Sequence, residues 1–144
     1  MEHFLIEDGI LKAYTGREKV VVVPAGVTQV GGELRNEPDD YPRNLRGDYI
    51  GYKAFYYNKH LEELYLPDSV EEIGFKALEH ATSLKVLSFS SKMKTFGCNS
   101  ILGCDALTTI IYRGTKEEFA KLNLYDYAPN LETVYCTDGK ISMK

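Results

Sequence analysis

Apolar residues recur along this chain with a long, fixed period. Four segments share the pattern apolar-x-x-apolar-x-apolar, and they run from Leu61 to Leu66, Leu84 to Phe89, Leu107 to Tyr112 and Leu131 to Cys136. Successive segments start 23, 23 and 24 residues apart. Within each segment the apolar residues alternate as they do in a short strand, and a period of this size is typical of repeat architectures.

Other positions keep the same register. The aligned sets are Ile50, Ile73 and Phe96; Gly51, Gly74 and Gly97; Ala54, Ala77 and Ser100; and Phe55, Leu78 and Ile101. An earlier copy precedes them, in which Pro24, Val27, Val30 and Gly31 have the spacing of Pro67, Val70, Ile73 and Gly74. The repeats therefore begin near the N-terminus.

A unit of this length cannot bury its apolar side alone, so units are expected to stack with one short strand per coil in a parallel sheet. Leu64 and Leu66 should point inward and Tyr65 outward. Pro67 should end the strand, because it has no N–H to donate. The coil is then expected to return through a short helical turn at residues 75–78.

These residues resemble the BspA-type leucine-rich-repeat family. Its pattern is a strand ending in Pro, then Ser-Val or Gly-Val, Ile-Gly, an Ala-Phe pair and Leu-x-x-Leu, and the resemblance covers nearly the whole chain. It implies an α/β repeat fold, a leucine-rich-repeat solenoid with one short parallel strand per coil of ~23 residues. The length of 144 residues suits a single domain over 1–144.

Both ends resemble the caps of that family. The opening segment, with Asp8-Gly9 as a turn dipeptide between apolar runs, predicts an N-terminal β-hairpin. Near the other end Thr115-x-x-Glu118 is a capping box that opens a short helix, with Phe119 where the family usually has Trp, and a strand at residues 133–139 follows.

We accordingly divide the chain into an N-terminal hairpin cap (1–19), repeats (20–112) and a C-terminal cap of a short helix plus a strand (113–144). The repeat pattern slips at residues 32–48, which are rich in charged and turn residues. Tyr41-Pro42-x-x-Leu45 in this segment is either a worn repeat or part of an excursion loop. The integrin-type tripeptide Arg46-Gly47-Asp48 is too short to carry a functional prediction.

Composition and charge narrow the function classes. A content of 44% hydrophobic and 26% charged residues is that of an ordinary globular domain. The net charge of −4 leaves no basic stripe for a phosphate backbone, so no nucleic acid is expected as partner. No apolar stretch approaches the ~20 residues of a membrane span, and the first residues lack a signal-peptide pattern. Membrane insertion is not expected, although the resemblance implies a family that is often secreted or at the cell surface.

Few residues suggest chemistry. Cys98, Cys104 and Cys136 are odd in number and lack metal-site spacing, so we interpret them as core thiols, with a bridge between two of them as the alternative. His3 and two further histidines occupy unrelated repeat positions, and adjacent acids such as Glu62-Glu63 point to opposite faces of a strand. The chain also lacks nucleophile-elbow, phosphate-loop and zinc-protease motifs. We expect no enzyme, cofactor or metal, with an enzyme whose site is unrecognised as the alternative.

The outward side of the strands is the candidate site. The repeat register brings eight partner-binding candidates together, and these are Glu63, Tyr65, Val86, Ser88, Thr109, Ile111, Thr133 and Tyr135. These residues form two rows across the strands, one from Glu63 to Thr133 and one from Tyr65 to Tyr135. Val20 extends the first row and Val22 extends the second. Contiguous apolar and aromatic side chains favour a protein-binding module, although β-propensity alone also favours these residues on a strand. Self-association is a second possibility, and adhesion to a host or microbial glycoprotein or glycan is an alternative function.

Overall fold

A computed structural model describes residues 3–31, 54–74, 76–97, 100–122, 124 and 128–142. In chain order, the strands of this described part are β1 Phe4–Glu7, β2 Ile10–Tyr14, β3 Val20–Val22, β4 Gln29–Val30, β5 Glu63–Tyr65, β6 Glu72–Ile73, β7 Val86–Ser90, β8 Thr95–Phe96, β9 Thr109–Arg113, β10 Thr133–Cys136 and β11 Gly139–Ser142. The one described helix, α1, spans Lys116–Ala120 between β9 and β10.

The chain winds as a solenoid with two sheets. The first sheet has six strands in the order β11-β10-β9-β7-β5-β3, and β3 through β10 are parallel in it. The second sheet has five strands in the order β1-β2-β4-β6-β8. The predicted repeat solenoid is confirmed. Each of the three coils that contain β4, β6 and β8 adds a two-residue strand that the sequence analysis did not predict.

The apolar residues of the repeat form one core between these sheets. Leu64 and Leu66 are buried and Tyr65 between them is half-buried on the other side of the strand, as predicted. Leu87 in the central strand is fully buried and pairs in register with Leu64 and Ile110. Each such leucine lies in contact distance of its equivalents on both neighbouring coils, because parallel strands are ~4.8 Å apart.

Each coil has a third side, which follows the strand of the second sheet and precedes the next strand of the first sheet. Small residues at equivalent positions allow successive coils to approach each other closely there. Ala54, Ala77 and Ser100 are buried at equivalent positions. The backbone N–H of Phe55 donates to the Ala77 carbonyl at 2.8 Å, and the N–H of Leu78 donates to the Ser100 carbonyl at 2.7 Å. Larger side chains at these positions would hold adjacent backbones apart and break this ladder.

The predicted short helical turn at residues 75–78 is wrong in its conformation. Residues 76–80 form successive turns, in which the N–H of Glu79 donates to the Lys76 carbonyl at 3.2 Å. Lys76 and His80 have positive φ values of 60° and 57°. Left-handed residues interrupt the repeated right-handed φ and ψ that an α-helix needs. Residue 75 lies outside the described residues.

The N-terminal cap is the predicted hairpin. β1 and β2 pair antiparallel around Asp8 and Gly9, whose φ values of 53° and 78° suit a two-residue hairpin turn. β2 continues in parallel onto β4, where Leu11 pairs with Val30. The hairpin therefore covers the first coil on the side of the second sheet. The end of β2 also reaches the third side, where the N–H of Tyr14 donates to the Ala54 carbonyl at 3.1 Å.

The C-terminal cap contains the predicted helix. The Thr115 hydroxyl accepts from the N–H of Glu118 at 3.1 Å, and the Glu118 carboxylate accepts from the N–H of Thr115 at 2.8 Å. Phe119 is fully buried, with its ring centroid 5.4 Å from that of Tyr112. The C-terminal end of the core is therefore closed by aromatic packing beneath this helix.

One strand of this cap was not predicted. The predicted final strand is present as β10, and β11 folds back on it as an antiparallel strand. The proposed boundary between residues 112 and 113 falls inside β9, and the division of the chain into caps and repeats stays a prediction.

The irregular segment 32–48 and the tripeptide Arg46-Gly47-Asp48 lie outside the described residues. The strands on either side of this segment are direct neighbours, since β3 pairs with β5 and β4 pairs with β6.

Candidate protein-binding face

We call the outward side of the six-stranded sheet the outer face. Its first row of laterally paired residues is Val20, Glu63, Val86, Thr109, Thr133 and Ser142. Its second row is Val22, Tyr65, Ser88, Ile111, Tyr135 and Lys140. The structure therefore brings all eight sequence-predicted candidates together in the two predicted rows.

The apolar residues of the outer face are most exposed near its ends. Val20 and Val22 on β3 are 52% and 68% exposed, and Tyr135 on β10 is 50% exposed. Between them Ile111 and Val86 are half-buried by their neighbours in the sheet. Five parallel rungs at ~4.8 Å give this face a length of about 25 Å, which suits contact with one compact partner.

Glu63 and Tyr65 form a pair within the outer face. The Tyr65 hydroxyl donates to the Glu63 carboxylate at 2.6 Å. This hydrogen bond to the carboxylate, with smaller contributions from burial and from the negative charge, raises the pKa of the Tyr65 phenol. The tyrosine is therefore neutral at physiological pH, and its hydroxyl proton already forms a hydrogen bond within the outer face.

Arg113 is the residue that the sequence analysis missed. It lies at the end of β9 on the outer face, and its guanidinium extends back across β7 to the end of β5. It donates to the Ser88 hydroxyl at 2.7 Å, to the Leu66 carbonyl at 2.6 Å and to the Asp68 carboxylate at 2.6 Å. A planar group with several fixed donors can reach all three acceptors, which a lysine ammonium cannot.

The position of Arg113 corrects one of the predicted candidates. Ser88 is only 2% exposed, because the Arg113 guanidinium lies against its hydroxyl. Ser88 therefore offers no free surface to a partner, and the Arg113 side chain forms the surface at that point of the outer face. The signal was available in the sequence, since Thr109, Ile111 and Arg113 share one face of a strand.

Most charged groups of the outer face have a hydrogen-bond or ion-pair partner within it. Arg113 pairs with Asp68, and the Glu63 carboxylate accepts from Tyr65. Lys140, on the last strand, extends the second row with a further charge. The middle of the outer face thus presents aliphatic and aromatic groups around internally satisfied polar ones.

The two described cysteines are free thiols at different depths. Cys104 is buried, its thiol donates to the Leu78 carbonyl at 3.1 Å, and burial raises its pKa to about 12. This confirms its interpretation as a core thiol. Cys136 is half-buried, and burial raises its pKa as well. Cys98 lies outside the described residues.

The histidines and acids do not assemble into a metal site within the described ranges, where no group of three or more potential ligands converges. His80 lies beside the buried Glu79, with 3.9 Å between the imidazole Nε2 and the carboxylate Oε1. His3 packs against Tyr14, and the backbone of His60 is held by the Asn58 side chain. No helix in the described part of the chain is long and apolar enough to cross a membrane.

Comparison with known proteins agrees with this geometry. The BspA type leucine rich repeat region matches the chain over residues 44–142, with six copies of the repeat. No curated protein and no solved structure matched. Because the match covers well over half of the chain, and because the structure shows the repeat as stacked coils, the chain belongs to the BspA-type leucine-rich repeat family.

Proposed function

We propose that this protein is a binding module that recognises one compact protein partner through the outer face of its six-stranded sheet. The observation that carries the proposal is the row of apolar and aromatic side chains on the outer face, in which Val22 and Tyr135 are exposed and Tyr65 and Ile111 are half-buried between them. Tyrosine is enriched among the few residues that supply most of the binding energy in protein interfaces, so Tyr135 is the expected anchor of this row.

The chemistry of the outer face indicates what sort of partner fits. The carboxylates of Glu63 and Asp68 and the Arg113 guanidinium already have partners, so a ligand that binds through these three charges would have to break their contacts. A neutral surface with apolar groups would not. Such a partner would bury Ile111 and the ring of Tyr135 while Arg113 and Asp68 stay paired and the exposed Lys140, at the margin of the face, stays in water.

The aromatic groups favour a protein over a glycan as the ligand. Tyr135 is the one tyrosine of the outer face with half of its surface exposed. Tyr65 is half-buried, and its hydroxyl donates to Glu63. Stacking of a sugar chain along the face would need a second exposed ring in the same row.

The test uses two variants that each replace a large hydrophobic side chain by glutamate at a position of nearly the same exposure. Tyr135→Glu introduces a charge on the outer face. Leu102→Glu introduces one on the turn side of the coils, where Leu102 is 49% exposed against 50% for Tyr135. Both should fold, since both side chains are exposed, and circular dichroism with thermal unfolding checks this.

Each variant and the wild type would be used to capture proteins from an extract of the source organism, with quantitative mass spectrometry as the readout. A candidate partner would then be purified and titrated by calorimetry. We expect Tyr135→Glu to weaken its binding at least about tenfold and Leu102→Glu to leave its binding unchanged. A purified partner that binds the wild type and Tyr135→Glu equally well would refute the outer face as the binding site.

A further inference from the structure

We propose that β3 is a self-association edge, through which two copies of this chain pair strand to strand into one continuous sheet. The proposal concerns the lateral edge of the sheet and does not depend on the partner that the outer face binds. β3 is the last strand at the N-terminal end of the six-stranded sheet, and in the described part of the chain only β5 pairs with it.

The hydrogen bonds of β3 show which backbone groups remain on its free side. The carbonyl of Lys19 accepts from the N–H of Glu63, and the N–H of Val23 donates to the Tyr65 carbonyl, both at 3.0 Å. In a parallel pair, alternate residues of a strand direct both backbone groups to the same neighbour. Residues 19, 21 and 23 therefore face β5, and the N–H and C=O groups of Val20 and Val22 point away from the sheet.

This pattern is self-complementary. When two copies of β3 run antiparallel about a two-fold axis at Val21, Val20 of one copy lies opposite Val22 of the other. Each such pair exchanges two backbone hydrogen bonds, as the hydrogen-bonded residue pairs of an antiparallel ladder do. The symmetric contact therefore forms four hydrogen bonds. Pro24, which has no N–H, stops the pairing from extending further.

The side chains match as well. Val20 and Val22 are 52% and 68% exposed, the highest values among the large hydrophobic residues that the described chain exposes at the outer face. Antiparallel pairing places both valines of one copy beside both valines of the other on the same face of the joined sheet. An apolar contact across the axis would remove this surface from water without bringing any charged side chain into the centre.

The other edges of the two sheets are built differently. The pairing of β1 with β2 shifts register between Leu5 and Ile6, where β2 has Lys12 as an extra residue; β8 has only two residues, and β11 carries Lys140. Bulges, very short strands and lysines are features that prevent edge-to-edge pairing. β3 is also short, but its three valines are in regular register with β5, and the strand contains neither a bulge nor a lysine.

The small size of the contact sets the strength to expect. Three residues on each side bury much less than the ~800 Å² per partner of a standard stable interface. A reversible, concentration-dependent dimer follows, and dimerisation would place two outer faces side by side in one sheet.

The experiment is sedimentation equilibrium of the wild type from about 10 µM to about 1 mM, a range that covers weak dissociation constants. The decisive variant is Val22→Pro. It removes an N–H that points away from the sheet and leaves the hydrogen bonds from β3 to β5 intact. We expect it to raise the dissociation constant of the dimer at least about tenfold, since two hydrogen bonds are lost per dimer. Val22→Thr keeps the N–H and the branched shape, and it should keep the dimer.

A wild type that stays monomeric over the whole range, or a Val22→Pro protein that dimerises as tightly as the wild type, would overturn the proposal. If Val22→Pro fails to fold, hydrogen exchange on the wild type decides instead. The amides of Val20 and Val22 should exchange more slowly as concentration rises, with those of β11 unchanged. Unchanged exchange at Val20 and Val22 would equally overturn the proposal. Tyr135→Glu should leave the dimer intact, which separates this test from that of the outer face.

Discussion

Arg113→Ala should destabilise the fold through its hydrogen bonds to Ser88 and Leu66, and much less through its ion pair with Asp68. The side chain of Asp68 is 70% exposed and that of Arg113 is 37% exposed. Water and salt therefore screen the ion pair despite its short distance, and exposed pairs contribute about 0–1 kcal/mol. The Ser88 hydroxyl, in contrast, belongs to a residue that is almost completely buried.

The magnitude follows from these contacts. Hydrogen bonds from a charged donor contribute about 1.5–3 kcal/mol each, so the bonds to Ser88 and Leu66 together are worth roughly 3–6 kcal/mol. Holding the long side chain in one conformation offsets up to about 2 kcal/mol, and water can reach both acceptors once the side chain is removed. We expect a net loss of about 1.5–3 kcal/mol for Arg113→Ala and less than about 1 kcal/mol for Asp68→Ala.

Urea unfolding followed by circular dichroism measures both values, at low salt and at about 1 M NaCl, where surface charges are screened within about 3 Å. The loss on Arg113→Ala should persist at high salt. The reasoning would be refuted if Asp68→Ala cost as much as Arg113→Ala, because the ion pair would then be the main contribution. A loss below about 0.5 kcal/mol for Arg113→Ala would refute it too, since surface changes without structural contacts have effects of that size.

Three further predictions concern the core and the turns. Leu87→Ala should cost about 2–5 kcal/mol in urea unfolding, because Leu87 is fully buried in the central strand, and unchanged stability would contradict the repeat register. Gly103→Ala should destabilise, since Gly103 has a φ of 79° and an added Cβ would overlap the His80 ring. The double variant with His80→Ala should recover the steric part and keep only the backbone strain of about 1 kcal/mol. At pH 8 a thiol with a pKa of about 12 is ionised in about one molecule in ten thousand, so Cys104 should resist iodoacetamide in the native protein, and rapid labelling by peptide mapping would contradict its burial.

The sequence predicted those features that depend on periodicity. The spacing of Leu61, Leu84, Leu107 and Leu131 gives the coil length, and the alternation within each strand gives the residues of the outer face. Pairing such as Glu63 with Val86 follows directly, because stacked repeats keep equivalent residues in lateral contact. Local chemistry was equally informative at the ends, where turn and capping residues are short-range signals.

Short strands were harder to predict. β6 contains only Glu72 and Ile73, which is too short for alternation to be visible in the sequence. The indication was the apolar residue before the glycine of each repeat, at Val30, Ile73 and Phe96, which we aligned without assigning it to a strand. β11 was missed although Asp138-Gly139 is a common hairpin dipeptide.

Which residues of the outer face are exposed could not be predicted from the alternation of side chains along a strand alone. Ser88 lies at an outward position of its strand and is nevertheless buried, because Arg113, 25 positions further along the chain, donates a hydrogen bond to it. Which acceptor a long side chain reaches depends on the distance between strands and on the competing contacts of the guanidinium. Neither is encoded within a single repeat, and the sequence analysis therefore placed a serine where the structure presents an arginine.

The same arginine offers a way to learn how a partner would engage the outer face. If a partner contributes a carboxylate to Arg113, it must first displace Asp68, which is the most exposed of the three acceptors. Asp68→Ala would then strengthen binding, because the competing carboxylate is gone. A partner that contacts only the apolar row should bind Asp68→Ala and the wild type equally. Calorimetric titration of a purified partner against the wild type and Asp68→Ala distinguishes these two cases. Weaker binding to Asp68→Ala would contradict both cases. It would mean that Asp68 itself contacts the partner, or that its ion pair holds Arg113 in the conformation that binds.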